Sequence, residues 1–392
     1  MRKYFSLLIL FCLIISTHAN GQDTLSQKDE FKPSGKISGY FFGDYAYKLS
    51  ADELQRGNLQ YSGLPLDYNS FNIRRIYLGY DYQFSPKISS QLTLAHESGF
   101  EANASNTDAL TDNNRAVYIK YASVRVGGVI PRADIVFGQQ ATPTFGLLSD
   151  SYWGYRSIEK SLTDMRGISS STDLGVGIFG KVGKSERVGY DLMVGNNNGA
   201  KLENNQFKKF YASLYGYLLD KRLVLQFNYE YNRTESLPGL RGHENLYKAF
   251  AGYKTDKATI GVEAFRQLQT NHTRYTPKLA PSDTLYGNAK RSGISIFYHR
   301  AIVTDKLDLF ARVDFYDPDT RYTSTNTYMK GYSANKEIFS TVGLDFTAFK
   351  GIHIMPNLWY DHYHSKLPAA SGRMRNDADL VGRITVYCLF NH

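Results

Sequence analysis

The densest group of acid–base side chains in the sequence is Asp361-His362-Tyr363-His364. A carboxylate beside a histidine can orient a general base, and two histidines spaced by two can face one way and share a metal ion. Both chemistries need more than this run supplies. No serine motif, nucleotide-binding loop or second ligand cluster accompanies it, so the sequence carries no catalytic or metal-site expectation here. A second group lies in the segment from Thr142 to Ser170, where Trp153, Tyr155, Arg156, Glu159, Lys160, Asp164 and Arg166 combine ring bulk with charges of both signs. Fixed charges held at close quarters act on a small ion that has shed part of its water. That action requires confinement, which only the surrounding elements can provide.

Those elements read as strands. From Lys36 onward, stretches of roughly 9–13 residues alternate apolar and polar, the length and period of a strand that crosses a bilayer at a tilt. Leu225, Phe227, Tyr229 and Tyr231 fall on one face, with Gln226, Asn228, Glu230 and Asn232 on the other. The polar faces carry charge that a dry two-sheet core could not bury, so they must meet water. About sixteen such stretches occur, near 36–47, 70–83, 87–98, 114–126, 133–141, 171–182, 187–195, 207–219, 222–233, 245–254, 257–268, 290–302, 306–316, 336–347, 351–363 and 379–391. Short connections (85–86, 127–132, 183–186, 220–221, 255–256, 304–305, 349–350) alternate with long ones (48–69, 99–113, 142–170, 196–206, 234–244, 269–289, 317–335, 364–378). This is the pattern of an all-β transmembrane antiparallel barrel with short periplasmic turns and long outer loops, and a bilayer leaves no sheet edge unpaired. Strand phase places Arg75, Lys120, Lys181, Arg312 and Arg383 on the lumen side. It places Glu97, Asp173, Asp191, Glu230, Glu263, Asp308, Asp314, Asp345 and Asp361 there as well, so the wall reads as acidic. Tyr80, Tyr82, Tyr121, Tyr231 and Tyr253, near strand ends, fit an interfacial aromatic girdle.

The ends and composition agree with export. Arg2 and Lys3 precede an apolar run, Phe5–Ile15, too short to span a bilayer, and Thr17-His18-Ala19 or Ala19-Asn20-Gly21 follows as a cleavage site. Residues 1–21 are expected to be a signal peptide, 22–34 a short periplasmic tail and 35–392 one barrel domain. Of 46 basic residues Arg2 and Lys3 leave with the signal, so 44 stand against 37 acidic ones without a basic cluster, which gives no nucleic-acid surface. Cys12 leaves too, and Cys388 alone supports neither a disulfide framework nor a multi-cysteine metal site. No cofactor is expected.

Several segments resemble the phosphate-selective porins O and P and their relatives in the Bacteroidetes. They are Phe71-Asn72-Ile73-Arg74-Arg75-Ile76-Tyr77-Leu78-Gly79-Tyr80, Gly138-Gln139-Gln140-Ala141-Thr142-Pro143 with Trp153-Gly154-Tyr155-Arg156, Asp173-Leu174-Gly175-Val176, and Val381-Gly382-Arg383-Ile384-Thr385-Val386-Tyr387. The resemblance implies a sixteen-stranded homotrimeric outer-membrane porin passing small anions such as phosphate. It also implies that the segment 142–170 folds into the lumen as the constriction, and that barrel insertion machinery reads the C-terminal strand. The chain ends Phe390-Asn391-His392 where such barrels end on an aromatic residue. The expected function is passive diffusion of small hydrophilic solutes. The alternatives are a general porin without preference, a plugged barrel with a surface-binding or structural role, and a membrane-embedded hydrolase.

Overall fold

A computed structural model describes residues 31–98, 116–145, 147–277, 283, 285–322, 326–328, 334–367 and 376–391. The expected signal peptide, most of the tail and all of the 99–113 connection lie outside these residues. Seventeen strands form one sheet. They are β1 (Ser34–Ser50), β2 (Asn69–Ser85), β3 (Ile88–Glu97), β4 (Tyr118–Ile130), β5 (Ala133–Ala141), β6 (Thr172–Val182), β7 (Val188–Gly195), β8 (Lys209–Leu218), β9 (Leu223–Leu237), β10 (Leu240–Lys254), β11 (Ala258–Pro277), β12 (Leu285–Val303), β13 (Leu307–Asp317), β14 (Asn326–Tyr328), β15 (Asn335–Phe349), β16 (Ile352–Ser365) and β17 (Ala378–Asn391). Three-residue β14 adds to the end of β11. The other sixteen pair antiparallel, each with its neighbour, and β17 closes on β1 from Ser38 opposite Asn391 to Ser50 opposite Leu380. Closure leaves each of the sixteen paired on both sides, as a bilayer demands.

The polarity is inverted relative to a soluble protein. In β9, Leu225 and Phe227 are half exposed on the outer face, whereas Gln226, Asn228 and Glu230 are buried within. The same alternation repeats around the wall, with Leu78, Phe137, Leu214, Ile294, Val342 and Ile384 outside. This is the lipid-facing belt of a transmembrane barrel.

Strand positions follow the expected ones closely, but two connections differ. The 234–244 stretch is strand except for a tight turn at Pro238-Gly239, where proline presets a negative φ and Gly239 supplies φ +85. Most of 269–289 is likewise strand, because β11 and β12 run on as a ribbon to Pro277 and from Leu285. Polar alternation in these segments looks like loop composition, yet a hairpin standing in water needs no apolar face. The girdle reading also needs one change. Tyr80, Tyr82, Tyr231 and Tyr253 stand on the outer-facing positions, but Tyr121 follows a register shift that turns it inward beside Lys120.

Candidate functional site

The connection between β5 and β6 lies inside the barrel, because it bonds to strands on opposite sides of the wall. Asn228 of β9 donates to Pro143 O at 3.0 Å and Lys248 of β10 to Thr144 O at 2.9 Å. Glu263 of β11 accepts from Thr163 Oγ1 at 2.7 Å, and Arg383 of β17 donates to Ile158 O at 3.2 Å. Arg74 of β2 donates to Ser157 O, and Arg312 of β13 to Lys160 O. Only a segment within the ring can reach all of them. Each wall side chain satisfies a loop carbonyl or amide that would otherwise be buried without a partner.

Two short helices organise the segment, α1 (Leu147–Trp153) and α2 (Leu162–Met165). Trp153, Tyr155 and Ile158 pack with Val224, Phe250, Phe297, Phe310 and Met355 into an apolar cluster against β9, β10, β12, β13 and β16. The Trp153 indole donates to Glu159 O at 2.8 Å, and Trp359 of β16 donates to Glu159 Oε2 at 3.3 Å. Arg166 is 4 % exposed and meets Glu337 of β15 in an ion pair, with Asp361 of β16 at 3.9 Å. Trp153, Tyr155, Glu159 and Arg166 therefore fasten the segment to one side of the wall. They fill that side of the lumen instead of facing the water in it.

The remaining three expected loop residues behave differently. Arg156, Lys160 and Asp164, four residues apart, are the partly exposed ones. Arg156 holds Asp150 through Nη1 and Asp164 through Nη2, both at 2.7 Å. Facing them from the wall are Arg75, Lys120 and Glu97. Lys120 Nζ lies 3.1 Å from Glu97 Oε1 and 3.3 Å from Ser171 Oγ, and Arg75 lies 3.8 Å from Glu97 Oε2. Burial would raise the Asp164 carboxyl, but Arg156, then Lys160, Lys120 and Arg75 together hold it below the usual carboxylate range. Asp150 goes the other way: burial pushes it up despite Arg156, and Asp164 adds to the rise. Four cations thus converge here on three acids, Glu97, Asp150 and Asp164.

Backbone irregularity makes this convergence possible. Between β1 and β2 the register passes from Phe42 opposite Arg75 to Gly43 opposite Ile73, leaving Arg74 as an extra residue. A bulge of this kind lets consecutive residues share a face. Arg74 and Arg75 are both fully buried on the lumen side, over the Phe42 ring at 4.9 and 5.4 Å, and Arg74 Nε lies 2.6 Å from Asp44 Oδ2. A second shift, between β3 and β4, leaves Lys120 as the extra residue. Strict alternation found Arg75 and Lys120 but missed Arg74.

The other expected lumen residues are spread around the wall and engaged in holding it. Asp173 accepts from the Asn197 amide at 2.7 Å and Tyr211 Oη at 2.9 Å, which anchors the 196–208 connection. Glu230 pairs with Lys209 at 2.5 Å, Glu263 with Lys248 at 3.3 Å and Arg312 with Asp314 at 2.5 Å. Asp345 meets His353 at 2.8 Å, Arg383 donates to Asn357 at 2.7 Å, and Lys181 donates to Tyr215 Oη at 2.8 Å. Phasing also missed Lys48, Lys209, Lys248 and Glu337. Lys48 lies 2.8 Å from Asp379. The acidic reading of the wall changes accordingly, since the missed Lys209 and Lys248 neutralise two of its acids, Glu230 and Glu263. Strand pairing could have found them: Lys209 and Lys248 stand near acids only across neighbouring strands.

The Asp361–His364 run is split by the wall. Asp361 and Tyr363 are buried inside, with Tyr363 Oη 3.0 Å from Asp379, while His362 and His364 stand outside with ring nitrogens 3.0 Å apart. Alternation therefore separates the carboxylate from both imidazoles. Among the described residues no group of three or more His, Cys, Asp and Glu side chains is arranged to hold a metal ion.

No family model matches the sequence, and no curated protein matches it. Solved structures do share its fold. The outer membrane channel DcaP of Acinetobacter baumannii superposes with a TM-score of 0.62 at 11% identity, covering 94% of this chain and 100% of the other. OmpT of Vibrio cholerae in its trimer form gives 0.58 at 11% identity, covering 92% and 100%. The anion-selective porin of Comamonas acidovorans gives 0.57 at 12% identity, again covering 92% and 100%. At such identities the likeness establishes the porin-type barrel fold.

Proposed function

We propose that the chain is an outer-membrane porin through which small hydrophilic solutes diffuse passively, and that it favours small anions. The observation that carries the preference is the gathering of Arg75, Lys120, Arg156 and Lys160 around Asp164 at the lumen-facing edge of the inner segment. A pore filters by the charge at its narrowest point, and of the acids elsewhere on the wall Glu230, Glu263 and Asp314 are taken up by ion pairs. Phosphate is the leading substrate by the sequence resemblance. Assembly as a homotrimer, residence among outer-membrane lipids and insertion through the C-terminal strand follow from the same resemblance, and the trimer form of a fold neighbour supports the first.

Planar-bilayer recording tests this reading. Folded protein should give stepwise conductance, and a salt gradient should give a reversal potential of anion-selective sign. A cation-selective sign would remove the anion preference. The apolar cluster around Trp153 favours one competing reading, a barrel plugged by its inner segment. Folded protein with no conductance would establish that reading instead.

A further inference from the structure

Outside the channel, the long-loop end of the wall carries a basic row above an apolar trough. One cross-strand row runs Phe227, Ala249, Ala264, Ile294, Phe315, Ile338. Its two alanines sit between larger neighbours and leave a cavity of about 760 Å3. The next row toward the loops runs Tyr229, Tyr247, Arg266, Ser292, Asp317, and continues on β15 and β16 with Lys336 opposite His364. Lys290, opposite Leu268, stands one step further out. Tyr229 and Tyr247, with ring centres 5.3 Å apart, mark this level as the membrane interface. Arg266 and Lys336 are exposed and Lys290 half-buried; among the described residues none of their side-chain cations pairs with a carboxylate, although the Lys290 backbone amide donates to Asp319 Oδ1 at 3.0 Å. Of the two acids in their midst, Asp317 is neutralised by Lys366 at 2.5 Å and Asp319 is buried against the Lys290 backbone amide.

Cations without partners at the headgroup level, over a trough wide enough for an acyl chain, complement one kind of occupant. We propose that this face binds a phosphorylated glycolipid of the outer leaflet, its phosphate held by Arg266, Lys290 and Lys336 and an acyl chain lying over Ala249 and Ala264. The site is independent of conduction, because these side chains point away from the lumen.

Native mass spectrometry of the full-length protein, with lipid A as probe and phosphatidylethanolamine as control, tests the site. The wild type should retain lipid A selectively, and retention should weaken with salt. Joint Arg266→Gln, Lys290→Gln and Lys336→Gln should weaken it about a hundredfold, the loss expected for three cations beside an anionic lipid. Ala264→Phe, which fills the trough and leaves the cations in place, should weaken it as well. Single-channel conductance of both variants should match the wild type, which certifies that they fold. Equal retention by the folded triple variant would overturn the proposal. So would displacement of lipid A by inorganic phosphate, which would make the cations a site for free phosphate, or cross-links placing this face between two copies of the chain.

Discussion

Arg156→Gln is the most informative single perturbation of the proposed constriction. Arg156 neutralises Asp150 and Asp164 at 2.7 Å each, and it is one of the four cations set against Glu97, Asp150 and Asp164. Removing it takes the local balance from one net positive charge to zero. A unit charge seen by an ion about 5 Å away through water is worth about 0.8 kcal/mol. Screening at about 0.1 M salt leaves about 0.5 kcal/mol of that. An anion loses the attraction while a cation loses an equal repulsion, so relative permeability shifts by about 1 kcal/mol, roughly fivefold toward cations. Glutamine keeps hydrogen-bonding capacity, so the segment should stay in place and conductance should change little. The assay is the reversal potential of single channels in a potassium chloride gradient, on protein whose folding is checked by its heat-modifiable mobility. An unchanged permeability ratio in folded Arg156→Gln would refute the argument that this cluster sets selectivity.

The fastening residues should respond differently from the filter. Arg166→Ala leaves Glu337 and Asp361 buried without their cation, at a cost of about 3 kcal/mol or more, and should loosen the segment; larger, noisier conductance in single-channel traces is expected, with little change in ion preference. Trp153→Ala empties the centre of the apolar cluster at about 3–5 kcal/mol, and should likewise raise conductance and lower thermal stability measured by circular dichroism. Acidification should strengthen anion preference. With Asp150 raised and Asp164 lowered, falling pH neutralises Asp150 first and adds positive charge, so a permeability ratio that moves toward cations on acidification would contradict the assignment. Gly175→Val should impair folding, since a Cβ there comes within 2.1 Å of the Val194 carbonyl oxygen on β7; the folded fraction on gels measures it.

The barrel was legible because its signal is local. A lipid face and a wet face must alternate residue by residue, and every second connection must be short, so strand number and inner-versus-outer phase stand in the chain itself. The same locality explains the misses. Ribbons such as β9–β10 run beyond the bilayer, where water covers both faces and alternation loses its meaning. Arg74 escaped notice because a one-residue bulge reverses phase without any mark in composition. Lys209 and Lys248 form pairs between strands, which no single strand reveals.

Within the segment 142–170 the sequence supplied the cast but not the parts. Arg156 and Arg166 are ten positions apart, alike in type and flanked by acids, yet one faces the water-filled side and the other is bolted to Glu337. Their difference comes from the side of the barrel on which Trp153 and Ile158 found an apolar wall. Periodicity along the chain determines that there is a closed wall and which side chains line it. Which of those charges remain accessible is decided by distant strands meeting the folded segment, because an ion pair inside a closed ring depends on positions that only closure brings together.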